Sequence, residues 1–196
     1  MCLVGCAGAV DPPRQAADPE LVVALMGEDE DKMIPYCGGV WVAPQYILTA
    51  AHCVEDKKEV LFIMHDEERG WGKLPRSLHL GVVDKRGDQD IALIKSSEFL
   101  HHPVAELSQI KVGEKVVMYG HPAGLGWSLV PGSVAGYRDS LPVAGNWMQL
   151  SAPIYFGMSG GGVFDEQGRL VGLVSFMFKA PNTGFAIPAS VIRDFI

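Results

Sequence analysis

Short apolar runs broken by turn residues constrain the fold of this chain more than any other feature. LVVALM (21–26), VWVA (40–43), QYILTA (45–50) and EVLFIM (59–64) are of strand length. So are DIALIK (90–95), KVVMYG (115–120), WMQLSAPI (147–154) and RLVGLVSF (169–176). Between them lie turn signals such as Arg86-Gly87-Asp88, Pro122-Ala123-Gly124, Pro131-Gly132 and Glu166-Gln167-Gly168. The 23 glycines and 13 prolines are spread along the chain rather than clustered. The expectation is an all-β protein of about a dozen short strands. One helix is expected, over residues 188–196, with Pro188 just before its start and Ser190 as its N-cap. Alternation of side chains alone does not separate a barrel from a sandwich.

Composition narrows the function. No apolar run approaches the roughly 18 residues that a membrane-spanning helix needs. A net charge of −7 argues against nucleic acid, whose binding takes a basic footprint. Residues 1–20 read as a flexible N-terminal segment rich in Pro and acidic residues. Within it, Leu3-Val4-Gly5-Cys6 resembles the lipobox of bacterial lipoproteins, which makes Cys6 a candidate for lipidation and for the only membrane contact. The basic and apolar regions that precede a lipobox are missing, so incidental Cys2 and Cys6 stand as the competing reading.

Three segments carry chemistry. Gly157-Met158-Ser159-Gly160-Gly161-Gly162 sets a serine among glycines, where the backbone turns sharply and presents N–H groups to an incoming carbonyl. Alone it is a moderate signal, and a Gly-rich hairpin turn is the competing reading. Thr49-Ala50-Ala51-His52-Cys53 places a histidine between small residues directly after an apolar run. Five other histidines exist (His65, His79, His101, His102, His121), and only the context singles out His52. Asp90 heads the run Ile91–Ile94, where a carboxylate is held beside an imidazole by its strand. Asp84 and Asp88 are its neighbours, but Arg86-Gly87 assigns them to a turn.

Together TAAHC, DIALIK and GMSGGGV resemble the three active-site blocks of the trypsin-like serine peptidases. The second half is similar to the HtrA-like bacterial branch, through Gly120-His121-Pro122-Ala123-Gly124, Gly168-Arg169-Leu170-Val171-Gly172 and Gly184-Phe185-Ala186-Ile187-Pro188. The resemblance covers residues 35–195. It implies two six-stranded β-barrels of the chymotrypsin type, about 21–105 and 106–196, with the active site in the cleft between them. It also implies Ser159 as nucleophile, His52 as general base and Asp90 as the group that orients the base. Gly157 and Ser159 would supply the oxyanion N–H groups, and Ser175, Phe176 and Met177 would line the substrate cleft. Cys37 and Cys53 would pair, stiffening the loop that carries His52 by about 3 kcal/mol. Such a bond persists in an oxidising compartment, so an extracytoplasmic location is expected.

The implied activity is endopeptidase hydrolysis of protein or peptide substrates without metal or other cofactor. Two alternatives remain: a pseudoprotease that holds peptides in the same cleft, and an esterase using the same triad. Members activated by proteolysis carry Asp where this chain has Met158, so no such cleavage is expected, though Met158 itself lacks a sequence explanation. No PDZ-like segment follows the final helix, so a protease domain without PDZ domains is expected.

Overall fold

A computed structural model of the chain describes residues 18–30, 32–57, 59–64, 80–96, 103–141 and 144–196. Residues 1–17, with the candidate lipid site Cys6, lie outside the described residues. A short 3₁₀ turn at Pro19–Leu21, capped by the Asp18 side chain, leads into the first strand.

Twelve strands close into two six-stranded antiparallel barrels. The first uses β1 (Val22–Asp29), β2 (Lys32–Ala43), β3 (Tyr46–Ala50), β4 (Glu59–Met64), β5 (Leu80–Arg86) and β6 (Ile91–Ser96), in the order β1-β2-β3-β6-β5-β4. The second uses β7 (Lys115–Gly120), β8 (Ser128–Arg138), β9 (Trp147–Ser151), β10 (Gly162–Phe164), β11 (Leu170–Met177) and β12 (Thr183–Pro188). Its order is β10-β11-β12-β9-β8-β7. Closure leaves neither barrel with an open edge, the usual liability of an isolated sheet. The expected all-β architecture is therefore present.

Each barrel fills its own interior. Trp41, Ile47, Val54, Phe62 and Ile94 pack inside the first, and Met118, Met148, Leu150, Val163 and Val174 inside the second. A further cluster joins the barrels, setting Val40, Leu48 and Ile91 against Phe164, Leu173 and Ile187. Truncating a fully buried member such as Leu150 to alanine removes contacts that no neighbour replaces, a loss of about 2–5 kcal/mol in such cores.

Three local expectations are corrected. Asp84 lies within β5, opposite Leu93 of β6, and not in a turn. Pro131 and Gly132 form no turn but lie within β8, opposite Val117 and Val116 of β7. Pairing of β8 with β9 begins only at Ser133, so the N–H that proline lacks falls where the strand has one neighbour. Gly132 is small of necessity, since a Cβ there would sit 2.7 Å from the Cβ of Ala152. The helix α1 (Ala189–Phe195) is capped by the backbone of Pro188 with no side-chain bond, and Ser190 is not the cap. Pro188 still pairs with Gly172, so the strand runs straight into the helix and leaves no cap position for Ser190. Among the described residues no helix is long and apolar enough to cross a membrane.

The barrels meet most closely at glycine. The Gly38 N–H donates to the Ser159 carbonyl at 2.7 Å, tying β2 to the loop after β9. Gly160, at φ +78°, has no room for a side chain: its Cβ would fall 2.3 Å from both the Gly38 carbonyl and the Thr49 hydroxyl. Gly160→Ala therefore strains the backbone and overpacks the seam. A loss of about 2–5 kcal/mol in unfolding free energy is expected by denaturant titration, and an unchanged midpoint would contradict this packing.

Candidate active site

The histidine loop follows from the register of the first barrel. β3 ends at Ala50, and the chain turns into a 3₁₀ segment, Ala51–Val54, whose small first residue is buried. Asp90 follows the 3₁₀ turn Gly87–Gln89 in the left-handed conformation (φ 52°, ψ 36°), which Asp tolerates better than most residues. Its carbonyl accepts from Ala51 N–H at 2.9 Å. The two loops are thereby locked together before any side chain is considered.

The Asp90 carboxylate then gathers three donors. His52 Nδ1 lies 3.0 Å from Oδ1 and 2.9 Å from Oδ2, and the His52 backbone N–H donates to Oδ1 at 3.0 Å. The Ser175 hydroxyl donates a short hydrogen bond to Oδ2. Ser175 reaches it because β11 bulges there: Val174 pairs with Ala186 and Phe176 with Phe185, leaving Ser175 as the extra residue. Burial opposes ionisation of Asp90, yet the bonds from His52 and Ser175 outweigh it and hold the carboxyl below its ordinary value. The same hydrogen bond to Asp90 raises the His52 pKa above its ordinary value, against partial burial. Nδ1 is occupied, so Nε2 is the ring nitrogen left to accept a proton.

Ser159 stands in the same cleft as His52. Its hydroxyl donates to the Ser175 carbonyl at 2.8 Å rather than to the imidazole. The loop around it is held from several sides: Gly160 N–H donates to Val174, Gly161 N–H to Met158, and Met158 N–H to Tyr155. Met158 is fully buried in the core of the second barrel. This supplies the physical account its residue type lacked: the thioether anchors the turn that carries Ser159 by apolar packing.

Gly157 is required by geometry. It sits at φ +91°, and a Cβ would approach the His121 carbonyl to 2.3 Å. The preceding Phe156 carbonyl accepts from Ala123 N–H at 2.7 Å. In a trans peptide the N–H points opposite the C=O, so this bond turns the Gly157 N–H away from the 121–124 loop. Ala123 makes the bond while held in a left-handed conformation, φ 51°. Ala123→Pro removes the donor and forbids that φ, so kcat is expected to fall by about 10²–10³, as when one oxyanion donor is lost. Ala123→Gly keeps the donor and relieves the strain, so its kcat is expected to stay near the parent's. Equal losses in both variants would contradict the role given to the Ala123 N–H.

The cleft has a volume of about 980 Å³. Ile154 to Gly157 line it together with Ser175, Phe176 and Met177. Phe176 packs flat on Phe185 and edge-on against Trp147. Gly184 lies beneath Ile154, whose side chain fills the space a Cβ would take. On the far side Ile34, Pro35, Tyr36 and the Cys37–Cys53 disulfide complete the lining. Burial pushes the Tyr36 phenol up to about 12, so it remains neutral. Among the described residues that line it, His52 is the only one whose side chain charges near neutral pH. Sequence reasoning missed Ala123 and the 154–156 wall. The signal available was Tyr155-Phe156, two aromatics placed directly before a glycine-rich turn.

Comparisons with known proteins bear on the family and the fold. A family described as "Trypsin-like peptidase domain" matches residues 37–173. A probable periplasmic serine endoprotease, DegP-like, of Rhizobium meliloti is 30% identical over 160 residues, covering 77% of this chain and 30% of that protein. A serine protease, HtrA-like, of Staphylococcus epidermidis is 29% identical over 167 residues, covering 76% of this chain and 27% of its own length. This chain thus spans about 30% of the length of such relatives. Among solved structures, the serine endoprotease from Yersinia pestis superposes with a TM-score of 0.74 at 23% identity, covering 90% of this chain and 61% of that one. The fold is shared, and the family match runs over residues 37–173, more than half of the chain: the chain belongs to the trypsin-like peptidase family.

Proposed function

We propose that this chain is a serine endopeptidase domain that cleaves peptide bonds through an acyl-enzyme. The supporting observation is the His52–Asp90 pair, hydrogen-bonded through Nδ1, in one cleft with Ser159. Ser159 Oγ turns from the Ser175 carbonyl toward His52 and attacks the scissile carbonyl as Nε2 takes its proton. Such hydrogen bonds commonly align only when substrate is bound. The tetrahedral oxyanion is received by the N–H groups of Gly157 and Ser159. The protonated His52, stabilised by ionised Asp90, gives its proton to the leaving amine. Water, deprotonated by His52, then hydrolyses the ester on Ser159. This sequence of steps requires no cofactor.

Substrates are protein or peptide segments bound against Ser175, Phe176 and Met177. The residue before the scissile bond enters a site whose walls carry no charge among the described residues, so small or apolar side chains are accepted there. Seating a lysine or glutamate would strand an unpaired charge, a loss worth at least about a hundredfold in kcat/KM. Cleavage-site profiling on a mixed peptide library tests this, and preferred cleavage after Lys, Arg, Asp or Glu would overturn it. The disulfide, and relatives described as periplasmic, support work outside the cytoplasm.

A further inference from the structure

The disulfide beside the base has a second chemical state. Cys37 Sγ, Cys53 Sγ and a ring nitrogen of His52 all lie within 4.8 Å of one another. All three residues line the open cleft. While the sulfurs are bonded to each other they ligate nothing. A thiol reductant that supplies two electrons and two protons converts them to two thiols, and a bound metal ion displaces both thiol protons.

We infer that the reduced chain holds a divalent zinc ion through Cys37, Cys53 and His52, and that the ion blocks catalysis. The inhibitory consequence rests on the proposed peptidase reaction; the binding does not.

Three features support the site. Zinc takes thiolate and imidazole in tetrahedral sets, with sulfurs about 3.8 Å apart and sulfur and nitrogen about 3.5 Å apart. Atoms already within 4.8 Å reach those spacings by side-chain rotation, and a Cα–Cα distance of 6.1 Å leaves room for both thiolates to face one ion. Second, the backbone carrying the ligands is held independently of the sulfur bond. Cys37 lies in β2 paired with Leu25, and the next residue donates to the Ser159 carbonyl. His52 and Ala51 are both bonded to Asp90. The site is therefore preorganised, and reduction leaves its frame standing.

Third, His52 already has the partner that a metal-bound histidine needs. Its Nδ1 faces the Asp90 carboxylate, which fixes the tautomer and leaves Nε2 as the nitrogen free to ligate. Two cysteines and one histidine leave the fourth position open, as in catalytic zinc sites, and here it opens into the cleft. Zinc on Nε2 removes the lone pair that would accept the Ser159 proton. Oxidation destroys the site by consuming both thiolates, so the disulfide state is the active one.

The full chain is reduced with a phosphine, desalted, and titrated with zinc chloride against its oxidised form on one peptide substrate. The reduced form is expected to lose activity at least about tenfold at micromolar zinc, to regain it with a chelator, and the oxidised form to hold its rate. A Cys37→Ser/Cys53→Ser variant, scored against its own zinc-free rate, is expected to be insensitive. Cobalt added to reduced Ser159→Ala protein reads binding without activity. A thiolate-to-cobalt charge-transfer band should appear, and should weaken in a His52→Ala background. Equal inhibition of oxidised and reduced enzyme, or a reduced protein showing no cobalt–thiolate band, would overturn the site. A band without inhibition would keep the site and overturn the block.

Discussion

Replacing Ser159 with alanine is expected to lower turnover of a peptide amide by about 10⁴–10⁶-fold, with little change in peptide affinity or thermal midpoint. The hydroxyl donates to the Ser175 carbonyl at 2.8 Å within the cleft. Its loss leaves an acceptor that water from the cleft satisfies, so the fold is barely touched. On the proposed mechanism the catalytic loss is large because the acyl-enzyme cannot form at all. What remains comes from the oxyanion donors and from positioning. Activity assays with calorimetric peptide binding check both halves, and a variant that keeps a tenth of its activity would show that another group attacks.

Asp90→Asn is the second large effect, and it is more diagnostic. Asparagine also tolerates the left-handed conformation that Asp90 adopts, so the 3₁₀ turn before it should persist. Its amide offers one oxygen where the carboxylate uses two, against His52 Nδ1, the His52 N–H and the Ser175 hydroxyl. The amide NH₂ facing Nδ1 stabilises the tautomer protonated at Nε2, which is useless as a base. kcat is expected to fall by about 10⁴-fold. The pH profile separates this from a general loosening. The His52 pKa is raised in the parent enzyme chiefly by the Asp90 hydrogen bond. The base works only when neutral, so the acid limb of the parent's kcat/KM profile lies above the ordinary histidine value of about 6.5. In Asp90→Asn the raising cause is gone and the limb moves to lower pH. An unmoved limb would contradict the electrostatic coupling of this pair.

The residues proposed for the chemistry were more legible in the sequence than the architecture that holds them. His52, Asp90 and Ser159 sit in short motifs whose context is local; His52, Ser159 and Ser175 line one cleft, and Asp90 is hydrogen-bonded to both His52 and Ser175. Strands were harder to read. β10 is three residues long and adjoins a glycine run, so no period shows in it. β8 carries Pro131, Gly132 and Gly136, which read as breakers until the one-sided pairing at Pro131 is seen. Barrel closure rests on β4 meeting β1 and β10 meeting β7, pairings between segments far apart in sequence. The role of Met158 is tertiary for the same reason: it is odd beside the nucleophile and ordinary inside a core of Met118, Met148 and Ile154. Ala123 is the sharpest case, because its contribution is a backbone N–H and a backbone angle, and neither is written in its side chain.

The measurement that tests the central claim most directly is labelling of the purified chain with a fluorophosphonate, with the adduct located by peptide mass spectrometry. One adduct on Ser159, lost in His52→Ala and in Ser159→Ala, is the predicted result, since only a serine activated by its base in a formed oxyanion site reacts quickly. A folded chain that takes no label, or one labelled at another residue with His52 dispensable, would contradict the account.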